Sequence, residues 1–175
     1  SPEFFQLGDK PFYEGDQIVF THGLVDIHSH GRDNNAALGS GMTDILSHSV
    51  RQFGLVLLMP NLAGKDALMT WRMAVDYWER ATKAIGVTPD MMRILETVYL
   101  NIDLTEDDIK RIADDPCIAG IKSYPAHGTT GAEHGLRTPL EAPKQLEWME
   151  RYDVPLLVHG QVRTREDGKV MDEFD

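Results

Sequence analysis

Residues 24–33 read LVDIHSHGRD, an apolar run that ends in two histidines one residue apart. Successive side chains of an extended strand point to opposite faces, so His28 and His30 project to the same side. Zinc and neighbouring transition metals favour imidazole nitrogen as a ligand, and one rigid strand can present two such ligands to one ion. The stretch therefore predicts a β-strand that ends in a pair of metal ligands. Taken by itself, it also fits two ordinary polar residues at the end of a strand.

Composition and length narrow the class of protein. The chain has 175 residues and a formal net charge of −11, so its overall field repels phosphate backbones and anionic lipid surfaces. We therefore expect neither a nucleic-acid partner nor a membrane partner. The single cysteine, Cys117, cannot form an internal disulfide, which fits a cytoplasmic protein. Residues 1–4, SPEF, resemble an expression scar and are excluded from the predicted fold.

Apolar runs alternate with helical periodicities along the rest of the chain. Continuous apolar runs predict strands, and apolar residues three or four positions apart predict helices. The predicted strands cover residues 24–30, 53–59, 92–100, 117–122 and 154–159, after a short β-prone piece at residues 17–20. The predicted helices cover residues 42–52, 66–84, 105–113 and 140–152, and Thr105 with Asp108 resembles a capping box. Strict alternation implies right-handed βαβ units and a parallel sheet.

A barrel and an open doubly wound sheet both satisfy this alternation. A dinucleotide-binding sheet would carry a GxGxxG turn after its first strand, and none occurs here. Barrel enzymes instead gather polar residues at the carboxyl ends of several strands. Four of the predicted strands end in this way, with His28 and His30, Asn61, Lys122 and His159.

The length of the chain limits how much of a barrel it can form. A full (β/α)8 TIM-type barrel takes ~250 residues. We therefore predict an α/β fold that comprises the first five β/α units of such a barrel, incomplete in this chain. The outer edges of the first and fifth strands should then be left without a pairing strand.

Lys122 closes an apolar strand, where a charged ammonium is costly to desolvate unless it is paired or neutralised. A lysine driven toward its neutral amine can react with carbon dioxide, and the resulting carbamate has two oxygens that can bridge two cations. A lysine that reaches the mouth of the strand and pairs with a carboxylate is the more ordinary interpretation of the residue. The residue alone leaves both interpretations open.

Several motifs in order carry a family resemblance. The segments DIHSHGRD, LLMPN, IKSYPA with a following Thr-Thr loop and HGL, and PLLVHG resemble dihydroorotase of the shorter bacterial type, within the amidohydrolase superfamily. The match runs from about residue 23 to residue 175 and corresponds to the N-terminal half of the family's barrel. The resemblance implies a zinc-dependent hydrolase that interconverts dihydroorotate and N-carbamoyl-aspartate in cytoplasmic pyrimidine synthesis. Residues 5–175 would then form the N-terminal part of this barrel.

The same resemblance implies a binuclear metal centre. His28 and His30 would bind the more buried of two Zn²⁺ ions, and His159 would bind the second. Lys122, carboxylated, would bridge the two ions together with a hydroxide. The family's catalytic aspartate and a further metal histidine would lie beyond residue 175, so no catalytic acid or base is assigned within the chain, and we expect this polypeptide alone to be inactive.

The resemblance also implies residues that bind the substrate. Arg32 would grip the substrate carboxylate with its bidentate guanidinium, and Asn61 would hydrogen-bond the same end of the substrate. Thr129 and Thr130 would lie in a mobile loop over the site. The partners expected are therefore the small-molecule substrate and the missing C-terminal half of the barrel, and we expect the intact protein to form a homodimer.

Some residues depart from the family pattern, and the roles of others are not decided by the sequence. Gln161 stands where the family usually has glutamate, and Ser29 and Gly31 stand where bulkier apolar residues are common. Asp26 either supports an imidazole or bonds the main chain of its own strand. The remaining histidines, His22, His48, His127 and His134, are better read as surface or loop residues than as ligands, and Asp33 as a loop partner of its neighbour.

Two other functions compete with this interpretation. A hydantoinase or allantoinase of the same superfamily would share the metal ligands, although Arg32 and the SYPA segment argue against it. A non-catalytic scaffold subunit for aspartate transcarbamoylase is the second alternative. Such subunits generally lose metal ligands, whereas this chain keeps each ligand that its length permits.

Overall fold

The computed structural model describes residues 24–32, 41–50, 52–62, 64–86, 92–129 and 131–160. Several sequence predictions lie outside these ranges: the scar at residues 1–4, the β-prone piece at 17–20, His22, Asp33, Thr130 and Gln161.

Five strands and four α-helices alternate along the described chain, as predicted. Their bounds are β1 (Leu24–Ser29), α1 (Met42–Val50), β2 (Phe53–Leu58), α2 (Trp71–Ile85), β3 (Arg93–Tyr99), α3 (Glu106–Asp114), β4 (Ile118–Ser123), α4 (Pro143–Arg151) and β5 (Leu156–Val158). The strands form one sheet in the order β1-β2-β3-β4-β5, and every neighbouring pair is parallel. The fold is thus a curled five-stranded part of a (β/α) barrel, which confirms the predicted fold class.

Two predicted helices were wrong at their N-termini. The helix predicted from residue 66 begins at Trp71, because Thr70 caps it by accepting a hydrogen bond from the Met73 N–H at 3.3 Å. The helix predicted from residue 140 begins at Pro143, since proline suits the first helical turn and disfavours helical geometry in the residue before it. Short 3-10 helices, Gly64–Asp66 and Pro139–Glu141, precede them. The capping box at Thr105 is confirmed.

Alternate residues of the central strands enter two apolar clusters. Val56 and Leu58 of β2 belong to a large cluster with the inner faces of all four helices. Leu57, together with Met59, belongs to a smaller cluster with Tyr99 and Tyr124. The apolar run at 53–59 is therefore that of a strand buried on both faces, which is typical of a parallel sheet.

The two outer strands differ from the central three in burial. Within the described residues, β1 pairs only with β2 and β5 only with β4. Apolar side chains on these strands remain in solvent, among them Ile27 at 69% exposed and Val158 at 54% exposed. This agrees with the prediction of two open edges. No helix in the described part of the chain is long and apolar enough to cross a bilayer.

Candidate active site at the carboxyl ends of the strands

The candidate site lies where the parallel strands end. His30 directly follows β1, Asn61 follows β2, and His159 follows β5, while Lys122 is the penultimate residue of β4. The register aligns Tyr99, Lys122 and Leu157 across three neighbouring strands, so their side chains share the face of the smaller apolar cluster. The carboxyl ends of parallel strands meet at one edge of the sheet, and the sequence-predicted groups are brought to that edge.

The two histidines of β1 form a close pair. The ring centroids of His28 and His30 are 5.2 Å apart, with 57° between the ring planes. Burial, followed by the charges of Arg32 and His28, lowers the pKa of His30 to about 4. Burial, Lys122 and His159 lower the pKa of His28. Both rings are therefore neutral near pH 7 and keep a lone pair that a metal ion could accept.

A bulge in β1 shapes this pair. The register between β1 and β2 shifts between Asp26 and Ser29. The Asp26 carboxylate bridges the irregularity by accepting a hydrogen bond from the His28 main-chain N–H at 3.0 Å. Asp26 thus bonds the main chain of its own strand, and its charge also acts on the His28 ring, where it opposes the lowering of the pKa.

Lys122 is buried without a carboxylate partner in the described part of the chain. Its side chain is 4% exposed, and desolvation is the cause that lowers its pKa. Its Nζ lies 5.1 Å from the centroid of the Tyr124 ring. A buried lysine near an aromatic face, rather than in an ion pair, favours the neutral amine that carbamate formation requires.

Tyr124 is the site residue that sequence reasoning missed. It is 1% exposed, and its ring centroid lies 5.5 Å from those of both Tyr99 and His159. Its hydroxyl donates a hydrogen bond to Asn61 Oδ1 at 3.0 Å. The sequence could have predicted this role, because Tyr124 follows Lys122 by two residues in the same motif. In an extended chain, that spacing puts two side chains on the same face.

Two of the predicted substrate-binding residues, Arg32 and Asn61, act on the same groups, whereas no contact in the described part of the chain joins Thr129 to them. Arg32 has a positive φ of 49°, and its charge acts on both His30 and Tyr124. Asn61 is 2% exposed. Thr129 is half-buried, and its carbonyl accepts a hydrogen bond from the Ala132 N–H at 3.2 Å.

The segment after β4 folds over the end of β2. A Cβ atom at Gly131, where φ is 73°, would overlap the main chain of Asn61 and Leu62, so the two segments are in close contact there. His127 and His134 of this loop are both exposed, and the His134 ring donates to the Gly64 carbonyl at 3.1 Å. They behave as the loop histidines that the sequence predicted.

The described residues do not contain a preformed cluster of three His, Cys, Asp or Glu side chains that could hold a metal ion. Two of the histidines instead lie at the carboxyl end of β1 and one follows β5, and the charge of Lys122 acts on both His28 and His30. Neutral imidazoles together with a lysine carbamate would complete a donor set suited to zinc. The residues present therefore fit a metal pair only if Lys122 contributes to it.

Comparison with known proteins agrees with this arrangement. A dihydroorotase from Nitrosomonas europaea is 34% identical over 148 residues, which cover 84% of this chain and 40% of the relative. A dihydroorotase from Methylobacillus flagellatus is 33% identical over 137 residues, covering 78% of this chain and 37% of the relative. The chain is homologous to dihydroorotases. No protein-family model matches it.

Solved dihydroorotase structures share the fold. The Saccharomyces cerevisiae dihydroorotase, in complex with 5-fluoroorotic acid, aligns with a TM-score of 0.67 and 25% identity over 85% of this chain and 39% of that chain. The Campylobacter jejuni dihydroorotase aligns with a TM-score of 0.58 and 28% identity over 84% of this chain and 41% of that chain. The chain thus spans about two fifths of the dihydroorotases that it matches.

Proposed function

We propose that this chain supplies the N-terminal part of a dihydroorotase, the enzyme that reversibly hydrolyses dihydroorotate to N-carbamoyl-aspartate in pyrimidine synthesis. The observation that carries the proposal is the meeting of His28, His30, Lys122 and His159 at one edge of a parallel sheet in a homologue of dihydroorotases. A structural role alone would not require three imidazoles and a buried amine at the ends of three strands.

The proposed metal ligands are those four side chains. His28 and His30 would hold one zinc ion, His159 the other, and a carbamate on Lys122 would bridge them. Two bound zinc ions would lower the pKa of a water held between them and polarise the ring carbonyl of the substrate. The low pKa of His30, about 4, and the lowered pKa of Lys122 support this role, because each group must be unprotonated to act.

The substrate carboxylate is assigned to Arg32 and Asn61. The chain carries a net charge of −11, yet the Arg32 cation acts on both His30 and Tyr124 in the candidate site, which favours an anion beside them. A guanidinium can donate two parallel hydrogen bonds to a carboxylate, and an amide N–H can add a third. Tyr99 and Tyr124, both buried in the smaller apolar cluster, would form the floor of the site beneath the substrate.

Completion of the barrel is part of the proposal. The chain spans about two fifths of its relatives, and the edges of β1 and β5 expose apolar side chains. We propose that a polypeptide with the remaining three β/α units covers these edges and supplies the missing catalytic aspartate and metal histidine. The completed protein is proposed to act as a homodimer.

Reconstitution tests the proposed activity. The chain would be mixed with zinc, bicarbonate and the C-terminal part of the Nitrosomonas europaea relative, and dihydroorotate hydrolysis followed by absorbance. We expect activity only in the mixture, and none with hydantoin as substrate, which also separates a hydantoinase. A His28→Ala chain is the matched control. A mixture no more active than its parts, despite a stable complex by size-exclusion chromatography, contradicts the proposal.

Metal content separates the enzyme from a non-catalytic scaffold. We expect about two zinc ions per chain in the reconstituted protein, since four ligands of this chain and one of the added part complete two sites. The measurement is plasma mass spectrometry after removal of unbound zinc. A complex that binds no zinc would favour the scaffold.

A further inference from the structure

Tyr99 carries a buried hydroxyl without a hydrogen-bond partner. The residue is 0% exposed, and its hydroxyl oxygen bonds no other group among the described residues. A buried hydroxyl that is left unbonded costs free energy, so nearly all such groups in proteins have a partner. The position of Tyr99 in the sheet indicates which group that partner is.

Tyr99 and Lys122 are direct neighbours on two adjacent strands. The register of β3 and β4 pairs these two residues, and adjacent strands lie about 4.8 Å apart. Residues that are paired in register share one face of a sheet, and Tyr99 belongs to the smaller apolar cluster on that face. Lys122 is buried beside it, at 4% exposed.

One aromatic ring lies close to both residues. The ring centroid of Tyr124 lies 5.5 Å from that of Tyr99 and 5.1 Å from the Nζ atom of Lys122. The hydroxyl of Tyr124 already bonds Asn61 at 3.0 Å. Of the two tyrosines beside the lysine, Tyr99 is therefore the one whose hydroxyl lacks a partner in the described part of the chain.

Carbon dioxide would lengthen the side chain of Lys122 by a carbon and two oxygens. The unmodified amine and the Tyr99 hydroxyl are not hydrogen-bonded to each other. In carbamate formation the Nζ lone pair bonds the carbon of carbon dioxide, one C=O electron pair moves onto an oxygen, and Nζ releases a proton to solvent. The resulting oxygens are anionic and, like those of a carboxylate, only accept hydrogen bonds.

A phenol hydroxyl can bond such an anion only by donating its proton. Hydrogen bonds to ionised acceptors are the stronger kind, and a site removed from water strengthens them further. Donation by Tyr99 would therefore satisfy its own buried hydroxyl and would stabilise the carbamate relative to the free amine.

We propose that Tyr99 is a positioning residue whose hydroxyl donates a hydrogen bond to a carbamate on Lys122. The inference rests on the proposed function, which supplies the carbamate. It adds a residue outside the proposed metal ligands, and that residue acts through Lys122 rather than on the substrate.

The first measurement follows the carbamate itself. The full chain is supplied with zinc and ¹³C-bicarbonate, and the carbamate carbon is detected by ¹³C NMR over a range of bicarbonate concentrations. We expect Tyr99→Phe to need about 10- to 100-fold more bicarbonate for half-modification, as expected for one lost hydrogen bond to an anion. The same bicarbonate dependence in Tyr99→Phe and the wild type would overturn the inference.

Two variants serve as controls for this measurement. Lys122→Met should abolish the signal, and a signal that persists would place the carbamate on another residue and contradict the inference. Tyr152→Phe removes a hydroxyl that donates to Glu106 at 2.9 Å, and we expect it to keep the wild-type bicarbonate dependence. A loss as large as that of Tyr99→Phe would show that the effect is not specific to Tyr99 and would exclude the positioning role.

The second measurement reads the hydroxyl directly. Tyrosine labelled with ¹³C at Cζ reports hydrogen bonding of the attached oxygen, and loss of one signal in Tyr99→Phe assigns that of Tyr99. We expect bicarbonate to shift this signal in the wild type and not in Lys122→Met. An unshifted Tyr99 signal in a chain that shows the carbamate would refute the proposed bond. Should Tyr99→Phe fail to fold, single Phe variants of the other four tyrosines assign the signal by elimination, and the shift alone decides.

Failure of this inference differs from failure of the proposed function. A wild-type chain without a carbamate signal, despite zinc and bicarbonate, contradicts both the bridging role of Lys122 and the role of Tyr99. A carbamate that forms equally well in Tyr99→Phe overturns only the role of Tyr99 and leaves the proposed metal site in place.

Discussion

Replacing Glu96 by glutamine is expected to remove a pH dependence from the stability of the fold. Glu96 lies on β3 with 0% of its surface exposed, and it pairs in register with Ile118 of the larger apolar cluster. Its Oε1 accepts from the Thr97 N–H at 2.8 Å, while Oε2 has no partner among the described residues. Burial raises the pKa of this carboxyl well above its ordinary value of 4.5, so the native protein keeps it protonated at pH values where a free carboxyl has ionised.

Unfolding exposes the carboxyl and releases its proton. Between the ordinary carboxyl pKa of 4.5 and the raised pKa of the native state, the native state holds up to one more proton than the unfolded state. The free energy of unfolding therefore falls as pH rises, by about 1.4 kcal/mol for each pH unit over which this difference holds. The protonated carboxyl contributes fully to the free energy of unfolding only below its pKa in the unfolded state. This contribution is lost progressively as pH rises toward the raised pKa of the native state.

Urea unfolding at pH 5.5 and 6.5, followed by tryptophan fluorescence, measures the effect. Glu96→Gln is the reference, because it keeps an oxygen acceptor for Thr97, has the same size and cannot ionise. Subtracting its free energy of unfolding from that of the wild type removes the other titrations. From pH 5.5 to pH 6.5, we expect the wild type to lose about 1.4 kcal/mol of its free energy of unfolding relative to Glu96→Gln. A difference that is constant within about 0.5 kcal/mol, close to the error of such extrapolations, would refute the reasoning.

Three further outcomes follow from close contacts and from the proposed metal site. Gly31→Ala should lower the free energy of unfolding by about 1–3 kcal/mol, because its methyl group would overlap the Tyr77 hydroxyl. Adding Tyr77→Phe should recover most of this loss in urea unfolding, and a double variant without recovery would contradict the contact. In the same assay, Gly131→Ala should lower the free energy of unfolding more than Gly64→Ala, since both positions have positive φ but only position 131 faces a neighbouring carbonyl. Equal losses in the two variants would exclude that contact. Lys122→Met should lower the zinc content of the reconstituted protein from about two ions to one or none by plasma mass spectrometry, and an unchanged content would exclude the bridging role.

Local patterns were sufficient for much of the fold. Strict alternation of apolar runs and helical periodicities predicted a parallel sheet, and the polar residues after the runs predicted which edge would carry the site. These inferences work because strand parity and strand direction are properties of each segment and its nearest neighbours in sequence. The predicted open edges of the first and fifth strands followed from chain length alone.

Element starts were less predictable because they depend on single residues. The periodicity before Trp71 and before Pro143 continues the helical pattern, yet a capping threonine and a proline set the actual first turns. Both signals are present in the sequence. They were outweighed by apolar spacing, which reports the buried face of a helix and not its end.

Contacts between distant segments were decided only by the tertiary structure. No local pattern pairs Tyr124 with Asn61, 63 positions apart, or places the Glu96 carboxyl among apolar side chains. Nor could the sequence choose between a lysine in an ion pair and the buried Lys122 that is observed. The sequence by itself determined which face and which end of a strand each side chain occupies; register, bulges and the packing of loops determined which of those side chains meet, because these depend on every strand of the sheet at once.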